Sequence, residues 1–179
     1  MENQRIRLTK TMLKNALIEL LKQKNMEKIT IYELCDTAQI NRTTFYKYYG
    51  SQYDLLTDIE NELFDELQQH LLAGDGTEFD KLKDVMRFLN LDREKWKILI
   101  NTVADQDFNE KLFGLPAIHC LIRQRTSKQC TARQEEYIRI FFCQGGYAII
   151  RKWLNDESPE SPEEIAQLIT SLVSMVTPI

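Results

Sequence analysis

The chain has 179 residues, of which 43% are hydrophobic and 28% are charged, and its formal net charge is −4 at pH 7. This is the composition of an ordinary soluble globular protein, and the length suits one domain or a small domain joined to a larger one. No apolar run approaches the roughly 18 residues needed to span a bilayer. The polar N-terminal sequence also lacks the apolar centre of a signal peptide. We therefore expect a cytoplasmic protein without a membrane partner.

The cysteines and the charges add two further expectations. Cys35, Cys120, Cys130 and Cys143 are widely spaced and form no C-x-x-C pair, so we interpret them as free thiols in a reducing compartment. Residues 1–53 contain nine Lys/Arg and five Asp/Glu, whereas the rest of the chain contains fourteen and twenty-two. A basic head on an acidic body indicates that the head meets a polyanion.

Apolar residues recur at helical spacing from the start of the chain, and strand patterns are nearly absent. The first apolar stripe predicts helix 1 over about residues 9–24, with Thr9 as its N-cap. Thr30 is followed three residues later by Glu33, which is the capping-box pattern that begins a helix. Helix 2 is therefore predicted to run from Thr30 to about Ala38.

Helix 3 is predicted over about residues 42–48, because Asn41 is a strong N-cap. Helices 2 and 3 are short and close together, which is the layout of a helix-turn-helix. Phe45 and Tyr49 lie four residues apart and are predicted to pack on helices 1 and 2. The opposite face carries hydroxyls and cations that suit phosphates and base edges in a major groove, although an ordinary solvated surface is the alternative. That face consists of Arg42, Thr43, Thr44, Tyr46, Lys47 and Tyr48.

The remaining chain also reads as helical. Gly50 is predicted to end helix 3, and the Ser51/Asp54 pair predicts the cap of a long helix 4. Ser161, with Pro162 next and Glu164 three residues on, predicts the start of the last helix, which should run to about residue 176. Between them, helices are predicted over about 79–89, 93–103, 107–127 and 132–155. The expected fold is all-α, with about nine helices: a three-helix head (residues 1–53) joined through helix 4 to a helical body (residues 54–179).

The sequence from Leu8 to Leu56 resembles the N-terminal domain of the TetR family of bacterial transcriptional regulators. The resemblance is carried by "KITIYELCDTAQI" and "TTFYKYYGS". Further on, "FFCQGGYAIIRKWLND" and "SPEEIAQLI" resemble the last two helices of many such proteins. The resemblance implies a DNA-binding regulator that binds a palindromic operator in double-stranded DNA as a homodimer. Repression, with release by a small-molecule effector, is the family's usual mode.

The family's DNA-contacting positions fall on the outward face of helix 3 and on Tyr32 near the start of helix 2. Gln52 also falls at a contacting position, but there the family usually has a lysine that binds a phosphate. Glutamine can donate a hydrogen bond but releases no counterion, so this contact should be weaker. We hypothesise from charge alone that Arg5, Arg7 and Lys10 compensate.

The resemblance also implies a dimer interface and an effector pocket in the body. Two adjacent glycines would let helices approach closely, and neighbouring apolar side chains would supply buried area. The candidate interface residues are Phe141, Phe142, Gly145, Gly146, Ile149, Trp153, Ile165, Leu168 and Leu172. The alternative is that these side chains face the core of the monomer. The candidate pocket residues are Trp96, Asn101, Phe113, His119 and Tyr147.

Two other classes of function remain as alternatives. An enzyme is disfavoured because the sequence contains no HExxH, no Gly-rich phosphate loop and no G-x-S-x-G. We expect no cofactor and no metal, since His119 and Cys120 are adjacent and would point about 100° apart on a helix. The second alternative is a TetR-like coactivator or partner module that binds a protein co-regulator and has weak or no independent operator binding.

Overall fold

The structure, a computed structural model, describes residues 4–73, 76–102, 110–112, 114 and 131–176. Its helices with described bounds are α1 (Gln4–Leu21), α2 (Ile31–Ala38), α3 (Arg42–Phe45), α4 (Gln52–Ala73), α5 (Glu78–Leu91), α6 (Arg93–Thr102), α7 (Ala132–Asn155) and α8 (Pro162–Val176). A 3₁₀ turn at Met26–Lys28 joins α1 to α2. Within these ranges no residue is in a strand, and the all-α prediction is confirmed. Most of the helix predicted over 107–127 lies outside the described residues.

Helix α1 begins five residues earlier than predicted, at Gln4. The predicted cap was wrong: the Thr9 hydroxyl donates to the Arg5 carbonyl at 2.9 Å, a bond to the preceding turn of the same helix. The added turn has only two apolar residues, Ile6 and Leu8, which are too few to form a stripe that periodicity could detect. Its Gln, Arg and Leu residues nevertheless have good helix propensity.

Capping bonds confirm the predicted helix starts at Thr30, Asn41 and Ser161. Thr30 accepts from the Glu33 amide at 3.2 Å, and Asn41 accepts from the Thr43 amide at 2.8 Å. Ser161 Oγ accepts from the Glu164 amide at 3.2 Å while Glu164 accepts from the Ser161 amide at 2.8 Å. Glu33 differs from a full capping box, because its carboxylate pairs with Lys24. Each cap satisfies amides that the first helical turn leaves free.

Helix α3 is shorter than predicted, since regular α-helix ends at Phe45 and turns follow through Tyr48. The Lys47 amide donates to the Thr44 carbonyl and the Tyr48 amide to the Phe45 carbonyl, at 3.3 and 2.9 Å. Bonds of this i to i−3 kind tighten the last turn of a helix. The chain still coils through Tyr48, but with a tighter pitch than the α-helix that its N-cap predicted.

The chain divides into two compact units, residues 1–63 and residues 64–179, with the division inside α4. In the first unit, Leu13 and Leu17 of α1, Leu34 of α2, Phe45 of α3 and Ile59 of α4 are fully buried. In the second unit, α8 packs against α5 and α6 packs against α7. The core of this second unit includes Met86, Leu89, Trp96, Ile100, Trp153 and Ala166.

Candidate nucleic-acid interface and assembly surface

Residues 42–48, hereafter the reading segment, place polar side chains outside and one aromatic ring inside. Arg42, Thr43 and Lys47 are exposed, Thr44 and Tyr48 are half-buried, and Tyr46 is 51% exposed. The Phe45 ring is fully buried and meets the edge of the Tyr46 ring, with 5.5 Å between centroids. The segment therefore combines a core anchor with an outward row of hydroxyls and cations. Such side chains bind phosphates and base edges.

The turn between α2 and α3 contains no glycine, although its geometry favours one. Gln39 ends α2 with φ 53° and ψ 38°, in the left-handed region, which costs a residue with a Cβ roughly 1–2 kcal/mol. The following Ile40 amide donates to the Cys35 carbonyl at 2.9 Å and closes the end of the helix. Because no glycine marks this turn, the sequence did not predict the left-handed residue.

Tyr32, the predicted contact on α2, is 68% exposed, in the first turn of the helix. Gln52 is half-buried and is the first residue of α4. The Asp54 carboxylate accepts from the Gly50 and Ser51 amides at 2.9 and 3.1 Å. The Asp54 amide in turn donates to Ser51 Oγ at 3.2 Å, as the sequence predicted. This capping fixes the backbone that leads from the reading segment into α4.

The three N-terminal cations lie on α1 itself, since the helix begins at Gln4. Arg5 and Arg7 are exposed on its first turns, and Lys10 is half-buried. Two arginines on a helix have less reach than two on an extended arm, because a helix rises only 1.5 Å per residue. Their proposed role in binding phosphates stays a prediction.

Sequence reasoning missed the partner of Tyr49. Its ring is buried beside Phe45, as predicted, with 5.8 Å between centroids. Its hydroxyl donates to Asp58 Oδ2 at 2.6 Å, and Lys14 of α1 lies 3.1 Å from the same oxygen. A tyrosine whose ring is buried usually finds a partner for its hydroxyl. That rule could have prompted a search on α4, but it could not have selected Asp58.

The candidate effector residues are placed in different surroundings. Trp96 is buried in the body, with Phe64 and Phe88 edge-on to its ring. Tyr147 is also buried, and its hydroxyl donates to the Ile100 carbonyl at 3.5 Å. Asn101 is exposed and donates to Asn155 Oδ1 at 2.8 Å, so it lies on the surface of the body. Phe113 and His119 lie outside the described residues.

Helix α7 carries several of the candidate interface residues, and it exposes a row of large apolar side chains. Tyr137, Ile140 and Phe141 are 57%, 45% and 60% exposed. Phe142, Gly146 and Ile149 are half-buried. Gly145 is half-buried too, and apart from the adjoining backbone of α7 a Cβ added there would meet no described heavy atom within 4 Å. Three large apolar side chains of α7 are therefore exposed in the single chain.

Trp153 belongs to the core of the chain instead of its surface. The ring is 2% exposed, the Arg93 guanidinium lies 4.7 Å above it, and its indole N–H donates to the Glu160 carbonyl at 2.8 Å. Ile165 is likewise buried, whereas Leu168 and Leu172 of α8 are 47% and 40% exposed. Apolar periodicity could not tell the buried Ile165 from the exposed Leu168 and Leu172. All three are apolar residues of α8, and the described chain buries only part of the apolar surface of that helix.

Other kinds of site are not found in the described ranges. Among those residues, no group of three or more His, Cys, Asp or Glu side chains could hold a metal ion. No described helix combines the length and the apolar character that crossing a bilayer requires. The described cysteines, Cys35 and Cys143, are buried free thiols, and burial raises the pKa of each thiol above its ordinary value.

Solved structures share this fold over nearly the whole chain. A TetR transcriptional regulator from Streptococcus agalactiae 2603V matches with a TM-score of 0.78 and 20% identity, over 98% of this chain and 97% of that one. A TetR-family regulator from Streptomyces coelicolor matches with a TM-score of 0.67 and 17% identity, over 99% and 83%. The dihydroxyacetone kinase operon activator DhaS matches with a TM-score of 0.60 and 20% identity, over 94% and 96%.

Comparisons of sequence agree with the fold. The uncharacterized HTH-type transcriptional regulator YxbF of Bacillus subtilis (strain 168) is 24% identical over 169 residues, or 90% of this chain. The chain spans 43% of the length of that relative. The TetR C-terminal family model described as "Transcriptional regulator C-terminal region" matches residues 77–175, more than half of the chain. The chain therefore belongs to the TetR family of transcriptional regulators, which are not enzymes.

Proposed function

We propose that this regulator is a cytoplasmic repressor that binds a palindromic operator as a homodimer through the reading segment and Tyr32. The observation that carries the proposal is the exposed row of Arg42, Thr43, Tyr46 and Lys47 above the buried Phe45. A short, anchored element with hydroxyls and cations on its free side suits entry into a major groove. Repression, in preference to activation, rests on the usual mode of the family.

The homodimer part of the proposal rests on α7 and α8. Phe141, Leu168 and Leu172 leave apolar area exposed, and such area suits a self-complementary two-fold interface. Gly145 supports this, because a glycine inside a helix costs about 0.8–1 kcal/mol relative to alanine. Among the described residues, apart from the adjoining backbone of α7, no atom lies close enough to require that glycine. Close approach of a partner helix would require a glycine at position 145.

Release by a small-molecule effector would act through the helical body. Trp96 and Tyr147 supply aromatic surface inside the body, and Tyr147 supplies a hydroxyl. A pocket with a few polar groups among apolar ones is what a drug-sized ligand requires. Asn101 lies at the surface, so it is the weakest candidate of the described three.

A coactivator or partner module is the second candidate, and Gln52 favours it. A lysine there would neutralise a phosphate, whereas glutamine releases no counterion. The head would then bind DNA weakly by itself, and a protein co-regulator would supply the rest of the affinity. The same experiment separates the two candidates.

Selection from a random double-stranded DNA pool with the full chain tests the proposal. Its expected result is an enriched site with two-fold symmetry and half-sites about one helical turn apart. Footprinting should then show symmetric protection that is lost as salt rises. If no sequence is enriched by the chain alone but one is enriched with added cell extract, the repressor proposal fails and the partner module is favoured.

A further inference from the structure

A polar network links Tyr49, which directly follows the reading segment, to α4 and α1. The Tyr49 ring is 6% exposed, and its hydroxyl donates to Asp58 Oδ2 on α4 at 2.6 Å. Lys14 Nζ on α1 lies 3.1 Å from that same oxygen and 2.8 Å from Glu62 Oε2. One lysine and one tyrosine therefore link the end of the reading segment, α4 and α1.

This network differs from an ordinary surface ion pair. Ion pairs between freely exposed side chains contribute little, because water and salt screen them. The side chain of Lys14 is only 16% exposed, and the hydroxyl bond of Tyr49 is partly buried. A single oxygen of Asp58 accepts from both donors, so any displacement of Asp58 changes both bonds together. Linked bonds of this kind constrain geometry more than isolated bonds do.

Tyr49 is well placed to transmit that constraint. Its amide donates to the Phe45 carbonyl at 3.0 Å, so its backbone closes the last turn of the reading segment. The capping bonds of Asp54 to the Gly50 and Ser51 amides hold the backbone that follows. The hydroxyl bond to Asp58 adds a side-chain attachment to α4, one turn further along that helix.

Both charged groups stay ionised across the neutral range. Burial alone would raise the pKa of Asp58, but the hydrogen bonds from Tyr49 and Lys14 lower it below its ordinary value. Burial likewise opposes the charge of Lys14, yet its bonds to Glu62 and Asp58 raise its pKa. The stabilisation by Asp58 is therefore complete above the ordinary carboxyl pKa of about 3.9 and is lost as pH falls below that value. Near pH 7 both groups therefore carry the charges that the network requires.

We propose that Tyr49, Asp58 and Lys14 are positioning residues that fix the reading segment on α4, and that discrimination of the operator from other DNA depends on this attachment. The inference rests on the proposed function, because it assumes that the reading segment contacts bases. A shift of a few tenths of an ångström in its side chains would disturb bonds to base edges, which are directional. Contacts to phosphates would tolerate it better, since they depend mainly on charge.

Tyr49→Phe is the decisive variant, because it removes one hydroxyl and changes no charge. We expect affinity for the selected operator to fall about tenfold, because each protomer would hold its reading segment in the binding-competent position for only part of the time. Affinity for a random duplex should stay within about twofold, with the same salt dependence. Equal losses on both DNAs, or an unchanged operator affinity, would overturn the proposal.

The matched control is Glu62→Gln, one helical turn beyond Asp58. It removes one partner of Lys14 but leaves the Lys14–Asp58–Tyr49 connection in place, so operator affinity should change less than in Tyr49→Phe. Lys14→Met should reproduce the loss of discrimination, and Lys14→Arg should restore it by keeping a cation that can reach Asp58. A Glu62→Gln loss as large as that of Tyr49→Phe would contradict the assigned roles.

Hydrogen exchange of the DNA-free chain separates failure of this inference from failure of the proposed function. In Tyr49→Phe the amides of residues 46–50 should exchange faster, while those of α5 and α8 should be unchanged. If the wild-type chain selects no operator, the proposed function fails, and exchange alone decides whether the network positions the segment. Unchanged exchange at residues 46–50 would refute the positioning role.

Discussion

The two compact units of the molecule expose different chemistry. The reading segment in the first unit exposes hydroxyls, a guanidinium and an ammonium. Helices α7 and α8 in the second unit expose Tyr137, Phe141, Leu168 and Leu172. A polar, cationic surface suits reversible, salt-dependent binding to a wet polyanion, whereas an apolar surface suits lasting burial against another protein.

The difference indicates where each unit should be sensitive to mutation. Substitutions in the reading segment should lower DNA affinity by an amount that depends on salt and on DNA sequence, and they should leave the fold intact. Substitutions on α7 and α8 should weaken dimer formation, and their effects should depend on protein concentration because association is bimolecular. Substitutions on exposed residues can test this division cleanly. Deletion of α8 cannot, since it would also remove Ile165 and Ala166 from the core.

The largest effect is expected from Phe141→Lys. A ring that is 60% exposed in the single chain can bury most of that surface in a dimer, and an aromatic hot spot contributes about 2 kcal/mol or more. Lysine in its place would put two like charges in one two-fold interface. We expect the dissociation constant of the dimer to rise at least about 1,000-fold, while the helix content stays unchanged. Sedimentation measures the first and circular dichroism the second.

Glu136→Lys is the control, because it places the same new cation on an exposed position of α7 that is not apolar. It should leave the dimer largely intact. If Phe141→Lys remains a dimer at micromolar concentration, the proposed assembly surface is wrong.

Arg42→Ala, in the first compact unit, should have the next largest effect, which is on operator affinity. Arg42 is exposed at the first position of α3, where a guanidinium can bind a base edge or a phosphate. Loss of such a contact costs about 1–3 kcal/mol, so each half-site should lose affinity by about 5- to 150-fold. Titration against a fluorescent operator measures it. Lys22→Ala, which removes a cation paired with Glu19 at the far end of α1, should leave affinity within about twofold.

Local signals were enough to predict most of the fold. Capping side chains and apolar periodicity are encoded within a few residues, so the starts of α2, α3, α7 and α8 were predictable. Helix α1 extended further than predicted because Gln4–Leu8 has helix propensity without a stripe. Helix α3 is shorter than predicted because the Lys47 and Tyr48 amides form i to i−3 hydrogen bonds. No local sequence pattern predicts these bonds.

The candidate sites were less predictable, because they depend on which partner each side chain meets. The direction of Phe45 and Tyr49 followed from their spacing, but the attachment of Tyr49 to Asp58 and Lys14 joins three elements. Trp153 and Phe141 have similar sequence contexts on one helix, yet one is core and the other exposed. Only the packing of α7 on its neighbours separates them.

Gly145→Ala sharpens the assembly prediction with a smaller change. In the single chain the new methyl group meets no described atom within 4 Å apart from the adjoining backbone of α7, and alanine favours the helix by about 0.8–1 kcal/mol. Dilute, monomeric protein should therefore unfold at a slightly higher temperature. At high concentration the methyl group should weaken the dimer. If both the monomer and the dimer gain stability, Gly145 is not a point of close approach between helices.

Gln52→Lys should strengthen DNA binding and steepen its salt dependence. One new phosphate contact in each protomer adds about 0.9 to the slope of log K against log salt, or about 1.8 for a dimer. The lysine would stand at the first residue of α4, where a cation opposes the helix dipole by about 0.3–1 kcal/mol. We therefore expect higher affinity together with a slightly lower melting temperature. An unchanged slope would mean that position 52 does not reach a phosphate.

The smallest effect is expected at Gln39, within the turn that precedes the reading segment. Its φ of 53° is disfavoured for any residue with a Cβ by roughly 1–2 kcal/mol. The substitutions Gln39→Gly and Gln39→Ala both remove the long side chain, so the difference between them isolates that backbone cost. We expect Gln39→Gly to exceed Gln39→Ala in unfolding free energy by about 1 kcal/mol, measured by urea denaturation. Because neither substitution touches a proposed contact, operator affinity should stay the same in both. If affinity differs while stability does not, Gln39 acts at the DNA surface, and the head extends further toward DNA than the reading segment and Tyr32.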